Sequence, residues 1–181
     1  MATWKIDSAH SNANFVVRHM MITNVRGSFK EVSGTIEYDP ANPAAASVEA
    51  TINAASIETG VADRDNHLRS ADFFDVANTP NITFKSTNVE PTGEGTAKVT
   101  GDLTIRDVTR PVTLDVEFTG QSANPWTKAA TAGFSATGKI NREEFGLTWN
   151  QALEAGGWLV GKDIKLELDV EAVQVVEAET A

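Results

Sequence analysis

The amino-acid sequence predicts an all-β fold, an up-and-down antiparallel β-barrel of about eight strands with one short helical insert. Three observations predict it. Most of the chain alternates apolar and polar residues with a period of two, the pattern of a strand with one wet face. Turn-forming residues separate these runs. One island, Thr59 to Phe74, abandons the strand period and gathers charge and aromatic residues, densest in Asp63-Arg64-Asp65-Asn66-His67-Leu68-Arg69-Ser70-Ala71-Asp72-Phe73-Phe74-Asp75.

The strand runs follow in order. Weaker alternation passes through Phe15, Val17 and His19 and through Phe29 to Tyr38, and Asp39-Pro40-Ala41-Asn42-Pro43 breaks the chain after it. Val48, Ala50, Ile52 and Ala54 form the next run. The helical insert follows, where Thr59 can cap and Asp65 with Arg69 makes a supportive i,i+4 pair. Ile82 and Phe84 resume the strand period, and Pro91-Thr92-Gly93-Glu94-Gly95 ends it. Val99, Gly101, Leu103 and Ile105 lead to Arg106-Asp107-Val108-Thr109-Arg110-Pro111, a tight hairpin in which Asp107 tolerates left-handed backbone. Val112, Leu114, Val116 and Phe118 alternate with Thr113, Asp115, Glu117 and Thr119. After Asn124-Pro125 come Ala132, Phe134, Ala136, Gly138 and Ile140. Asn141 to Trp158 reads as a loop or short helix closing a barrel mouth. The last strand is the clearest: Ile164, Leu166, Leu168, Val170 and Ala172 oppose Lys165, Glu167, Asp169 and Glu171. Joined in sequence, such strands favour a closed barrel, because closure removes exposed edges. One domain is expected over residues 1–176, with 177–181 as a frayed tail.

Composition narrows the function. The chain has 181 residues, 25 acidic against 15 basic, and a formal charge of −10. That charge repels phosphate backbones and anionic headgroups, which argues against nucleic-acid and peripheral membrane binding. No cysteine is present, which excludes disulfides and thiolate chemistry. The N-terminus shows no apolar core of signal-peptide length and no run approaches a membrane span, so a cytoplasmic location is expected, or a periplasmic one if a signal was removed.

Catalytic patterns are sparse. Neither Ser11 nor Ser135 has the surroundings of a nucleophile elbow. Glu143-Glu144 reads as a solvated loop rather than a catalytic carboxylate pair. Asp7, His10 and His19 show no familiar ligand spacing and His67 lies far away, so no metal is expected. No phosphate loop or dinucleotide fingerprint suggests a cofactor. Trp4, Trp126, Trp149 and Trp158 are read first as core or rim packing.

The inward face is apolar and often small: Ala50, Ala54, Gly101, Ala132, Ala136 and Gly138 alternate with larger residues. A barrel of about eight strands sits at the boundary between a filled interior and one that holds a small ligand. Small inward residues favour a cavity, whereas Phe15, Phe29, Phe84 and Phe134 could fill the same room, and both readings stay open. A cavity would suit a long apolar ligand. His19 is the main polar exception on the inner faces, and Arg64 could reach a mouth. Arg64, Asp65, His67 and Arg69 also have a plainer use, pinning the insert to the barrel rim.

Several motifs in order resemble the YceI-like polyisoprenoid-binding family. They are Trp4-x-Ile6-Asp7 with His10-Ser11, Phe15-x-Val17-x-His19, Val25-x-Gly27-x-Phe29, Gly34-x-Ile36 and Ser56-Ile57-Glu58-Thr59. The strongest is Arg64-Asp65-x-His67-Leu68-Arg69-Ser70-x-Asp72-Phe73-Phe74. Pro80-x-Ile82-Thr83-Phe84-x-Ser86, Gly101-Asp102-Leu103-Thr104-Ile105, Val108-Thr109-x-Pro111-Val112 and Phe145-Gly146 complete the match, which runs from Trp4 to about Val175. The resemblance implies a lipocalin-like barrel with a hydrophobic pocket for a polyprenyl tail of the polyisoprenoid or isoprenoid-quinone type. It implies no catalytic reaction, no cofactor besides that lipid as ligand, and a homodimer; charge and the lack of a long apolar run, read above, imply neither nucleic-acid binding nor stable membrane insertion. Carried onto this chain, the pocket wall is Phe15, Val17, His19, Phe29, Leu68, Phe73, Phe84, Leu103, Ile105, Leu114 and Phe134, with Ala136 and Arg64 as further ligand-binding candidates. Arg106-Asp107 departs from the family's usual glycine before Val-Thr, and many relatives carry an export signal.

Such a protein would store or transport its lipid. Each buried methylene is worth roughly 0.8 kcal/mol against water, but the competing phase is a bilayer, so transfer is nearly balanced. Two other classes remain at this stage: an enzyme on a lipophilic substrate using His19 and Arg64, and a solid barrel with a structural or stress role.

Overall fold

The computed structural model describes residues 1–176. The expected tail at 177–181 lies outside the described residues. Strands run as β1 (Ala2–Ile6), β2 (Asn12–His19), β3 (Thr23–Phe29), β4 (Val32–Tyr38), β5 (Ser47–Asn53) and β6 (Ile57–Glu58). Helix α1 (Ala62–Arg69) follows, then β7 (Asn81–Gly93), β8 (Thr96–Ile105), β9 (Val108–Ala123), β10 (Ala130–Asn141) and β11 (Val160–Gln174). All the pairings are antiparallel. Strands β1, β4, β5, β7, β8, β9, β10 and β11 form a ring of eight that the β1–β11 pairing closes. This is the lipocalin-like, up-and-down barrel, with β2, β3 and β6 extending the sheet from β11.

The extra strands arise because three barrel positions are each broken once. Asp7 accepts a hydrogen bond from the Ala9 amide and starts a 3-10 turn between β1 and β2. Asn53 does the same for Ala55 between β5 and β6. The edge of β11 therefore serves two partners. Its Ala172–Gln174 end pairs with β1, and Val160 to Asp169 pairs with β2. The period of two that marks the longer strands does not mark β1, which is five residues long.

Turn chemistry behaves as the residues dictate. Arg106 and Asp107 both have positive φ, 50° and 63°, and close the Ile105–Val108 pair with two residues. That is the backbone a tight hairpin needs, met here without glycine.

The helical insert differs from expectation in its wiring. Val61 precedes the helix without a side-chain cap. Thr59 instead donates its amide (2.9 Å) and its hydroxyl to the buried Asp65 carboxylate. The Asp65–Arg69 pair does not form. Arg69 donates to the carbonyls of Ala55 and Ile57, both at 2.9 Å, and so ties the helix to the sheet. A buried carboxylate and two orphan carbonyls are costlier to leave unpaired than an exposed ion pair is to forgo.

Candidate functional site

The barrel encloses a cavity of about 330 Å3 that runs along its length. At one end it reaches a rim of exposed residues, Pro40, Ser47, Gly93 and Thr96, on the β4–β5 and β7–β8 connections. At the other it meets Leu68 and Phe73 of the helical insert, Leu147 of the loop after β10, and Val17 and Val160 of β2 and β11.

The wall positions behave differently along the same strands. Near the helix-bearing end Ile82, Leu103, Ile105, Val112, Leu114 and Ile140 are all buried. Toward the rim Phe84, Val116, Phe118, Phe134 and Ala136 also line the cavity, yet are only half-buried. Their remaining exposure accompanies an interior wide enough to admit solvent.

Eleven of the thirteen residues expected from sequence line this cavity: Phe15, Val17, Phe29, Leu68, Phe73, Phe84, Leu103, Ile105, Leu114, Phe134 and Ala136. Two are placed elsewhere. His19 is the last residue of β2, opposite Val160 and half-buried, and does not line the cavity. The strand phase points it inward, but it lies beyond the helix-bearing end of the cavity, where Met20 and Met21 turn the chain with positive φ. Arg64 is drawn back to its own loop, donating from Nε to Thr59 Oγ1 (2.7 Å) and from Nη2 to the Thr59 carbonyl (2.8 Å). Neither His19 nor Arg64 therefore faces the lumen.

The small residues have another use than expected. Ala50 and Ala136 line the cavity, whereas Ala54, Gly101, Ala132 and Gly138 do not. A Cβ on Gly101 would lie 2.5 Å from the Phe84 ring, and one on Gly138 would lie 2.6 Å from Leu114. These glycines seat a neighbour's side chain rather than leave a void. Gly27 seats the Phe15 ring in the same way.

Aromatic groups mark both ends. Near the rim Tyr38 packs against Phe118 (centroids 5.3 Å) and Phe134 (5.4 Å). Burial, helped by Asp39, holds the Tyr38 phenol above its usual pKa, so it faces the lumen neutral. At the other end Phe29 meets Phe15 and Phe74, while His67 stands edge-on to Phe73 and Trp149 and bonds Asp72 at 2.8 Å. Trp4 is buried, but Trp126 and Trp158 are exposed, unlike the packing expected for all four tryptophans.

Arg142 was not singled out from sequence. It is the charged residue of the lining, 3% exposed, and donates to the carbonyls of Gly161, Leu147, Trp149 and Val160. Burial lowers its pKa, with Glu143 opposing. Four carbonyl partners spend most of its donors on folding the loop between β10 and β11. Tyr38 and Phe118 were also missed as wall residues, although both are in phase with their strands. The lumen therefore offers shape and mainly apolar surface, with the Tyr38 phenol, a satisfied guanidinium and a few neutral polar side chains, Asn14, Ser47, Thr83 and Thr96.

The YceI-like domain model matches residues 4–172. A UPF0312 protein of Staphylococcus aureus strain USA300 is 42% identical over 171 residues, covering 94% of this chain and 97% of that protein. Among solved structures, the Campylobacter jejuni YceI protein is 35% identical with a TM-score of 0.73, covering 88% of this chain and 90% of that one. Burkholderia cenocepacia BcnA is 26% identical with a TM-score of 0.80, covering 92% and 98%. A polyisoprenoid-binding domain from Saccharophagus degradans shares the fold at 15% identity and a TM-score of 0.68, covering 97% and 100%.

Proposed function

The chain belongs to the YceI-like family, and on that premise we propose that it is a non-enzymatic carrier that holds the tail of a long-chain isoprenoid lipid in its barrel. The observation that carries this reading is the lumen itself, an apolar channel with an exposed rim. A volume of about 330 Å3 is at the small end of ligand pockets. It suits part of a flexible chain, the rest following the channel to the rim. The polyisoprenoid-binding name of the Saccharophagus degradans domain, on the same fold, agrees with that class.

An apolar lumen with few donors recognises a tail and leaves the headgroup loosely specified, as exchange with a bilayer requires. Burial worth roughly 0.8 kcal/mol per methylene against water is nearly cancelled when the competing phase is a membrane. The lipid then loads and leaves by mass action. A polyprenyl or isoprenoid-quinone guest, transport between sites, and a homodimer as the working unit are parts of this proposal. Organic extraction of the purified protein followed by mass spectrometry tests it. A prenyl-chain lipid near one per chain is expected, and native mass spectrometry of the same sample should give twice the chain mass. Protein free of any chain-bearing lipid, both as purified and after incubation with prenyl-lipid vesicles, would overturn it.

A further inference from the structure

Outside the barrel, at the seam where its first strand meets its last, Asp7, His10 and Glu171 bring one donor atom each to within 4.8 Å of the others. Asp7 and His10 belong to the 3-10 turn after β1, and Glu171 lies on β11, more than 160 positions further along. From this geometry we propose a divalent transition-metal site, of the kind that takes Zn2+, held by one imidazole and two carboxylates.

The donors suit that ion class. An imidazole nitrogen with carboxylate oxygens fits Zn2+ and its neighbours, while Mg2+ and Ca2+ prefer oxygen alone. His10 Nδ1 is 2.8 Å from Asp7 Oδ2 and 4.0 Å from Glu171 Oε1. Ligands about 2.0–2.1 Å from a tetrahedral zinc stand roughly 3.3 Å apart. The first edge must therefore widen slightly and the second must shorten, within the reach of side-chain rotation. His10 is 63% exposed, which leaves room for water to complete the coordination.

Two further features set the cluster apart from a chance meeting of surface groups. Neither carboxylate forms a salt bridge to lysine or arginine among the described residues, and His10 is the basic group both of them face. The backbones that carry the ligands are also fastened together. The Asp7 amide donates to the Glu171 carbonyl at 2.8 Å, and Ser11 Oγ both donates to that carbonyl (3.2 Å) and accepts from the Glu171 amide (3.0 Å). The turn and β11 thus hold their positions without an ion, and the ordering cost of binding is small. A bound ion would cross-link β1 to β11 where the barrel closes.

Titration of the purified full chain with ZnCl2 by calorimetry tests the site. One saturable zinc per chain is expected, with affinity at least about tenfold weaker in His10→Ala and in Glu171→Gln, and unchanged in His67→Ala. Circular dichroism confirms that each variant is folded. Added Mn2+ should broaden the amide resonances of His10 and Glu171 before those of the helical insert. Absence of saturable zinc binding below about 1 mM, or equal affinity in His10→Ala, would overturn the site.

Discussion

Along β7, β9 and β10 the inner face changes character within a few residues. Ile82, Val112, Leu114 and Ile140, toward the helix-bearing end, are buried. Phe84, Val116, Phe118, Phe134 and Ala136, nearer the rim, face the same lumen and remain half-exposed. The residue types hardly differ, and the helical insert and the loop after β10 cap only the first group. On these three strands the positions under the cap are packed and the next inward positions leave room, while Trp4, Ala132 and Ala172 pack the seam where β1 meets β11. A carrier needs both, because a barrel packed throughout holds nothing and one hollow throughout is held by little.

The largest expected effect separates the two ends by stability. Phe145 is 1% exposed, and Phe145→Ala should cost about 3–5 kcal/mol, read from the urea midpoint at constant slope. Phe84→Ala should cost clearly less, about 1–2 kcal/mol, since that side chain is only partly buried. Equal losses would erase the distinction between the ends.

A volume test comes next. Ala136→Phe adds a ring where the lumen has space, and should leave stability within about 1 kcal/mol. Ala132→Phe, on the same strand at a position with 0% exposure, should cost about 1–3 kcal/mol by overpacking. A reversed order would place the void elsewhere.

The smallest effect is a titration. The chain has one tyrosine, so ultraviolet absorbance follows Tyr38 alone. Its pKa is raised above the ordinary 10.0, first by burial and then by Asp39. A raised phenol contributes stability in full below pH 10, and loses it as pH rises through the folded value. An apolar guest removes further water from the ring, so added prenyl lipid should move the titration higher still. A curve unmoved by lipid would detach Tyr38 from the binding end.

Much of this contrast was legible in the residues and part was not. Period-two alternation located the long strands, and the left-handed tolerance of Asp107 located one hairpin, because both are local properties. Helix wiring was not legible. Asp65 and Arg69 have the right spacing for a pair, yet each meets backbone groups with a stronger claim, Asp65 the Thr59 amide and Arg69 the carbonyls of Ala55 and Ile57. The small inner residues misled in an instructive way. Gly101 and Gly138 suggested empty space, but Phe84 and Leu114 occupy it, and cross-strand neighbours depend on register. Register also hid the Asp7–His10–Glu171 cluster, whose parts lie at opposite ends of the chain. Arg142 gave no signal, since its four partners are carbonyls that any residue could provide.

The central claim, a lumen that accepts an apolar chain at its hollow end, is tested most directly by lipid retention. The wild type and Ala136→Phe would be incubated with vesicles containing a radiolabelled polyprenyl lipid, reisolated and counted. The wild type should keep close to one lipid per chain, and the filled variant at least about tenfold less at unchanged stability. Equal retention by both proteins would contradict the account.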